Sequence, residues 1–235
     1  MQSFEVLRPS KPMDCVGRVV ESTPLSPTIK SIRLELDVRD FQFLPGQSVW
    51  PKFEREGKSF TKIYSIASSP SRSPIIDLCI SRVGWSSAYM QDLAVGEVIP
   101  VRGPYGMMTL GELPNRPRLY VAEGSGIAPI KSHIEWLAEQ RFNRPVWLVQ
   151  ANPETPDCLP YQEVWRSLQQ TWAMFHYIEV LDARPEAALE QLSCNPENLD
   201  VDICAVGDRV SELRSAVKNL GVPPLAIRTE KFVAF

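Results

Sequence analysis

The sequence predicts a two-domain β + α/β protein, with an antiparallel β-barrel over residues 1–110 followed by a parallel α/β domain over residues 111–235. Three observations point to this. Up to about Met108 the apolar residues come in short β-branched runs punctuated by Pro and Gly, as in antiparallel sheet. Beyond it, short apolar strands alternate with longer runs at helical spacing, which implies a parallel sheet covered on both faces with right-handed crossovers. Between the two, Pro114 and Pro117 interrupt both patterns.

In the first half the strands are CVGRVVEST, TIKSIRLEL, SVWPKF, TKIYSIAS, IIDLCISR and EVIPVR, with one short helix from Ser87 to Leu93 whose Ala88, Met90 and Leu93 supply an apolar edge. In the second half Arg118 to Ala122 is a strand. A helix follows from Ile127 to Gln140, with Ile127, Ile130, Ile134 and Leu137 on one face. Then come the strand VWLVQ, a helix near Tyr161 to Gln169, the strand MFHYIEV, a helix around Arg184 to Leu192, the strand VDICAV and a helix ending near Leu220. Pro45, Gly46, Gly103, Pro104 and Gly106 are expected to form turns that shape a cavity.

Composition narrows the function classes. A chain that is 44% hydrophobic can bury a substantial core, and a net charge of -3 without a basic run argues against a nucleic-acid surface. No apolar leader and no stretch of about 18 apolar residues is present, so no membrane span is expected. Five scattered cysteines without CxxC spacing fit reduced thiols and a cytoplasmic location, and offer no quartet for an iron-sulfur cluster.

The stretch Thr61 to Ser69 carries the first candidate site. Ile63, Tyr64 and Ile66 favour an extended strand, placing Lys62 and Tyr64 on one face and Ser65 on the other. A phenol can pack on a flat cofactor, a lysine can neutralise a phosphate, and a serine can touch a ring nitrogen. An ordinary half-buried strand explains the same residues. Gly84, Trp85, Ser86 and Ser87 precede the short helix, whose free N–H groups suit a pyrophosphate; Ser87 is equally a plain N-cap. Gly124, Ser125, Gly126 and Pro129 form a turn between strand and helix, GxGxxP rather than GxGxxG, at the position where backbone approaches a dinucleotide. His133 and His176 show no partner carboxylate pattern, no metal site is expected, and no nucleophile-base pair is legible.

Tyr64-Ser65-Ile66-Ala67-Ser68 resembles the R-x-Y-S-x-x-S flavin signature of the ferredoxin-NADP reductase-like superfamily, with Lys62 where that family usually has arginine. LPGQSV, VGWSSAYM with VRGPYG, VAEGSGIAP and RTEKF follow the family's other motifs, so the resemblance runs from about Cys15 to Phe232. It implies an FAD-binding barrel over residues 1–110 and an NAD(P)-binding domain over residues 111–235. FAD would be held by Lys62, Tyr64, Ser65, Ile66, Ser68, Gly84, Ser86 and Ser87. NAD(P)H would meet Gly124, Ser125, Gly126, Asn152, Gly207 and Asp208. Ser65, Glu230 and Phe232 would stand at the reacting rings, with Phe235 as the alternative aromatic lid.

Departures carry expectations of their own. Glu123 replaces a small residue and is expected to repel a pyrophosphate. Val206 stands where the family has cysteine, and Cys204 is read as a core thiol. The implied function is hydride transfer from NAD(P)H to FAD and onward transfer of electrons to a redox-partner protein or a small molecule such as free flavin. The alternative is a flavin-bearing subunit that docks to a redox partner with weak or lost NAD(P)H oxidation. The loop Ala151 to Asp157, with two carboxylates and no cation, predicts a preference for NADH.

Overall fold

The computed structural model describes residues 7–232. Strands β1 (Met13–Pro24), β2 (Ile29–Leu36), β3 (Ser48–Arg55), β4 (Lys58–Thr61), β5 (Tyr64–Ser65), β6 (Ile75–Ser81) and β7 (Val98–Tyr105) form one antiparallel sheet. Their order is β4-β3-β7-β1-β2-β6, with β5 paired to β3. The sheet closes where Ile66 bridges Leu78 and the Ala67 N–H donates to the Asp77 carbonyl at 2.7 Å. Closure pairs backbone groups that an open edge would leave exposed. Inside, Val19, Ile32, Leu34 and Val49 from the strands, Phe41 from the loop before β3 and Ile76 of β6 pack as one core.

Two local expectations change here. TKIYSIAS is not one strand: β4 ends at Thr61 and β5 starts at Tyr64. Positive φ at both Glu56 and Gly57 makes the tight turn from β3 into β4, so β4 is the return arm of a hairpin. Gly103 and Pro104, expected in a turn, lie inside β7. A Cβ at Gly103 would stand 3.0 Å from Val49 Cγ1, so the glycine lets β7 approach β3.

Helix α1 (Trp85–Asp92) begins two residues before the expected start at Ser87. After it and β7 come β8 (Arg118–Glu123), α2 (Ile127–Glu139), β9 (Val146–Ala151), α3 (Gln162–Thr171), β10 (Phe175–Val180), α4 (Pro185–Leu189), β11 (Asp200–Val206), α5 (Arg209–Asn219) and β12 (Ile227–Phe232). The five strands are parallel in the order β10-β9-β8-β11-β12. Strand β12 is the element the sequence pattern missed, because this edge strand fully buries only Ile227. The strand order reverses between β8 and β11, which opens a crevice at their C-terminal ends.

The two halves share a core. Ile127, Ile130, Ile134 and Leu137 of α2 are buried as the spacing predicts, and their cluster takes in Ile29, Ala67 and Cys79 of the barrel. Polar contacts fix the junction. Ser132 Oγ donates to the Ser68 carbonyl at 2.7 Å, and Lys131 Nζ to the Ala67 carbonyl at 3.3 Å. At Gly46, φ is 89° and a Cβ would stand 2.2 Å from the Met108 carbonyl oxygen and 2.4 Å from His133 Nε2. Only glycine permits that approach.

His133 has the carboxylate neighbour that its sequence neighbourhood lacks. Asp202 of β11 lies 3.4 Å from Nδ1, and Nε2 lies 3.1 Å from the carbonyls of Pro45 and Met108. Asp202 is fully buried and accepts from Arg118 and Arg228. Burial pushes its carboxyl up, but Arg118, His133 and Arg228 hold it far below the ordinary carboxylate range. The group ties β8, β11, β12 and α2 together, and Arg228 extends it to the barrel side through the Thr109 carbonyl at 2.9 Å.

Candidate functional site

A cavity of about 550 Å³ lies between the barrel and the C-terminal ends of β11 and β12. Of the residues expected there, Lys62, Tyr64, Ser65, Gly84, Ser86, Ser87, Ser125, Glu230 and Phe232 line it. Tyr64 and Ser65 both reach the cavity although strand alternation alone would separate them, since β5 is only two residues long and turns into the barrel closure directly after. Burial raises the Tyr64 phenol above its ordinary value, and a hydrogen bond with Ser86 works against that rise.

At the cavity wall α1 presents its N-terminus. Gly84 is the N-cap, and Ser87 is the third helical residue rather than the cap. Its hydroxyl reaches back to accept from the N–H groups of Val83 and Gly84, both at 3.0 Å. The first intrahelical bond runs from the Ala88 N–H to the Gly84 carbonyl, so the N–H groups of Trp85, Ser86 and Ser87 precede it. That end of a helix favours an anion, and Lys62 lies in the same wall.

From the other half, Ser65 Oγ donates to Glu230 Oε1 at 3.2 Å, a bond that spans the two domains. Burial raises the Glu230 carboxyl above its ordinary 4.5, with the Ser65 bond acting in the opposite direction. Phe232 ends β12 beside Val206, and its carbonyl accepts from the Gly207 N–H at 2.9 Å. Phe235, the alternative lid, lies outside the described residues.

Other expected residues are elsewhere. Ile66 and Ser68 do not line the cavity: both are fully buried, Ile66 in the barrel closure and Ser68 with its Oγ accepting from the Asp77 N–H at 3.1 Å. The signature places them next to the cofactor in sequence, and the inward turn of the chain after Ser65 takes their side chains away. Gly124, Gly126, Gly207 and Asp208 sit around the crevice at the ends of β8 and β11 rather than in the cavity wall. A Cβ at Gly126 would stand 2.5 Å from the Cys204 carbonyl oxygen, so this turn needs glycine to lie against β11. Cys204 is fully buried, as expected of a core thiol.

Glu123 has a partner that its sequence neighbourhood does not show. It is only 2% exposed, and its carboxylate accepts from Arg209 Nε at 3.1 Å and Nη2 at 2.8 Å. The expected repulsion of a pyrophosphate assumed a bare charge, whereas the first residue of α5 pairs with it, a cation that Glu123 shares with Glu186 and Glu212. Asn152 is also buried, and with Glu123, the exposed Arg184 and the half-buried Arg209 it lines a second concavity of about 430 Å³. Sequence reasoning missed Cys79, Ser81, Val83, Glu154 and Lys231 in the first cavity. Ser81 donates to Ser125 Oγ at 2.9 Å, a contact between halves that no local pattern reveals.

The residues fit a flavin dinucleotide and a pyridine nucleotide. A ring-sized cavity with a phenol, a lysine and a helix N-terminus suits an isoalloxazine with its pyrophosphate, and the glycine turn from β8 into α2 lies at the C-terminal end of the sheet, where a second one would bind.

Comparison with known proteins gives the same assignment. The family model for the oxidoreductase FAD-binding domain matches residues 16–110, and that for the oxidoreductase NAD-binding domain matches residues 120–194. The phenol hydroxylase P5 protein of Acinetobacter pittii (strain PHEA-2) is 35% identical over 74% of this chain, which spans about half of that protein, 49%. The terephthalate 1,2-dioxygenase reductase component 1 of Comamonas sp. is 29% identical over 94% of this chain and 68% of its own length. Among solved structures, the flavohem-like FAD/NAD binding domain of nitric oxide dioxygenase from Vibrio cholerae O1 biovar El Tor aligns with a TM-score of 0.83 at 19% identity, covering 93% of this chain and 98% of that one. The chain joins an oxidoreductase FAD-binding domain to an oxidoreductase NAD-binding domain, in the fold shared with ferredoxin-NADP reductase structures.

Proposed function

We propose that this chain takes a hydride from NAD(P)H onto FAD held in the interdomain cavity and hands the electrons to an acceptor, a redox-partner protein such as an oxygenase component or a small molecule. The observation that carries the reading is the Ser65–Glu230 bond, which brings the barrel and the last strand of the nucleotide domain to one point beside Tyr64 and Phe232. FAD, when bound, supplies an acceptor for two electrons that can leave singly or as a pair. The chain's own residues bind and orient. Tyr64 offers its ring to the flavin face and Ser65 a hydroxyl to a ring atom, while Lys62 and the N–H groups that open α1 hold phosphate. Glu230 offers a polar contact to the nicotinamide, and Phe232 shields the cavity from water.

Supporting the acceptor class, the terephthalate 1,2-dioxygenase relative is by name a reductase component. The alternative of a docking subunit without nucleotide oxidation rested on Glu123 and Val206, and the pairing of Glu123 with Arg209 weakens the first ground. The experiment is an anaerobic titration of the purified yellow protein with NADH and NADPH. Bleaching of the flavin band is expected; a band that stays unchanged with both coenzymes would favour the docking subunit.

A further inference from the structure

Resting on the nucleotide reading above, a more specific inference concerns the second concavity, over the C-terminal ends of β8, β9 and β10. Arg209 opens α5, where a cation opposes the positive end of the helix dipole, so helix stability does not account for it. A guanidinium has five N–H groups. Here carboxylates take all of them: Nε gives to Glu123, Nη2 to Glu123 and to Glu186 at 3.2 Å, and Nη1 to Glu186 at 2.9 Å and to Glu212. None remains directed at a phosphate.

Asn152 adds an independent observation. It is 1% exposed, and its amide NH2 donates to Thr155 Oγ1 at 2.6 Å and to the Cys158 carbonyl at 2.7 Å. A carbonyl only accepts, so the amide orientation is fixed and Oδ1 is the atom turned toward Gly124. That oxygen is buried and has no hydrogen-bond partner among the described residues. It suits a hydroxyl donor and opposes a phosphate oxygen, which brings only acceptors.

We propose that Glu123 and Arg209, with Asn152, make this crevice select a nucleotide whose 2'-hydroxyl is free, NADH, against one carrying a 2'-phosphate, NADPH. The cation that would otherwise recognise the phosphate is committed to carboxylates. Around it Glu123, Asp182, Glu186 and Glu212 outnumber Arg184 and Arg209, so an added dianion meets net negative charge.

The test uses the flavin-loaded protein and two probes that differ only in the 2'-phosphate, 5'-AMP and 2',5'-ADP, titrated by calorimetry. The parent is expected to bind 5'-AMP roughly tenfold or more tightly than 2',5'-ADP. The E186Q/E212Q variant releases Arg209 donors while keeping the buried Glu123, and is expected to narrow that ratio at least about fivefold. Retained flavin absorbance reports that the variant is folded, and E212Q alone, at the more exposed carboxylate, is the milder step. Equal or tighter binding of 2',5'-ADP by the parent overturns the selection and leaves the nucleotide reading standing. An unchanged ratio in the variants overturns the part given to Arg209. Failure of both probes to bind removes the nucleotide reading of the crevice and the inference with it.

Discussion

Glu230 lies in the cavity wall with its carboxyl raised by burial, so the folded chain holds that proton more tightly than the unfolded one. The contribution of such a group is fully present below its ordinary pKa of 4.5 and is lost as the pH rises through the raised value. Glu230→Gln keeps the Ser65 contact in a permanently neutral form. The variant is expected to gain stability over the parent as the pH climbs above about 4.5, read as a growing difference in Tm on the flavin-free protein. A difference that stays flat would show that Glu230 titrates normally. At this scale the sequence reveals residue type and order: the signature from Lys62 to Ser65 names side chains that do meet in the cavity. It groups Ile66 and Ser68 with them, whose side chains lie outside the cavity wall because the two-residue β5 leads straight into barrel closure, a fact about pairing with β6 and not about the motif.

At the level of elements, the turn from β8 into α2 is the tightest joint in the nucleotide domain. Gly126 lies so close to β11 that an added Cβ would stand 2.5 Å from the Cys204 carbonyl oxygen and 2.9 Å from its carbon. Backbone on both sides cannot yield by a rotamer change. Gly126→Ala is therefore expected to destabilise the chain by about 1–3 kcal/mol or more, measured by urea unfolding, and a cost near zero would mean that the turn is free to move. The elements themselves were mostly legible, since α2 follows its 3.6-residue spacing and the barrel strands their alternation. Strand β12 was not, because its place in the sheet is given by backbone pairing with β11 and only Ile227 is fully buried.

Across the whole molecule, the barrel and the nucleotide domain meet through a common apolar cluster and a set of polar bonds centred on α2. Separation would expose Ile29, Ala67 and Cys79 on one side and leave buried donors of α2 without acceptors on the other, a loss that couples the halves. The chain is expected to unfold in one transition when followed by barrel and nucleotide-domain probes together; two resolved transitions would show that the interface contributes little. What the sequence by itself determined is the fold class, the order of the motifs and half of the cavity lining, because local pattern and residue chemistry are properties of neighbours along the chain. Only the tertiary structure decided that Asp202 meets His133, that Ser65 meets Glu230 and that Arg209 pairs with Glu123. Each of those pairs is remote in sequence, and burial makes the pairing obligatory once the strands are in register, since a charge out of water must find its partner where the sheet delivers it.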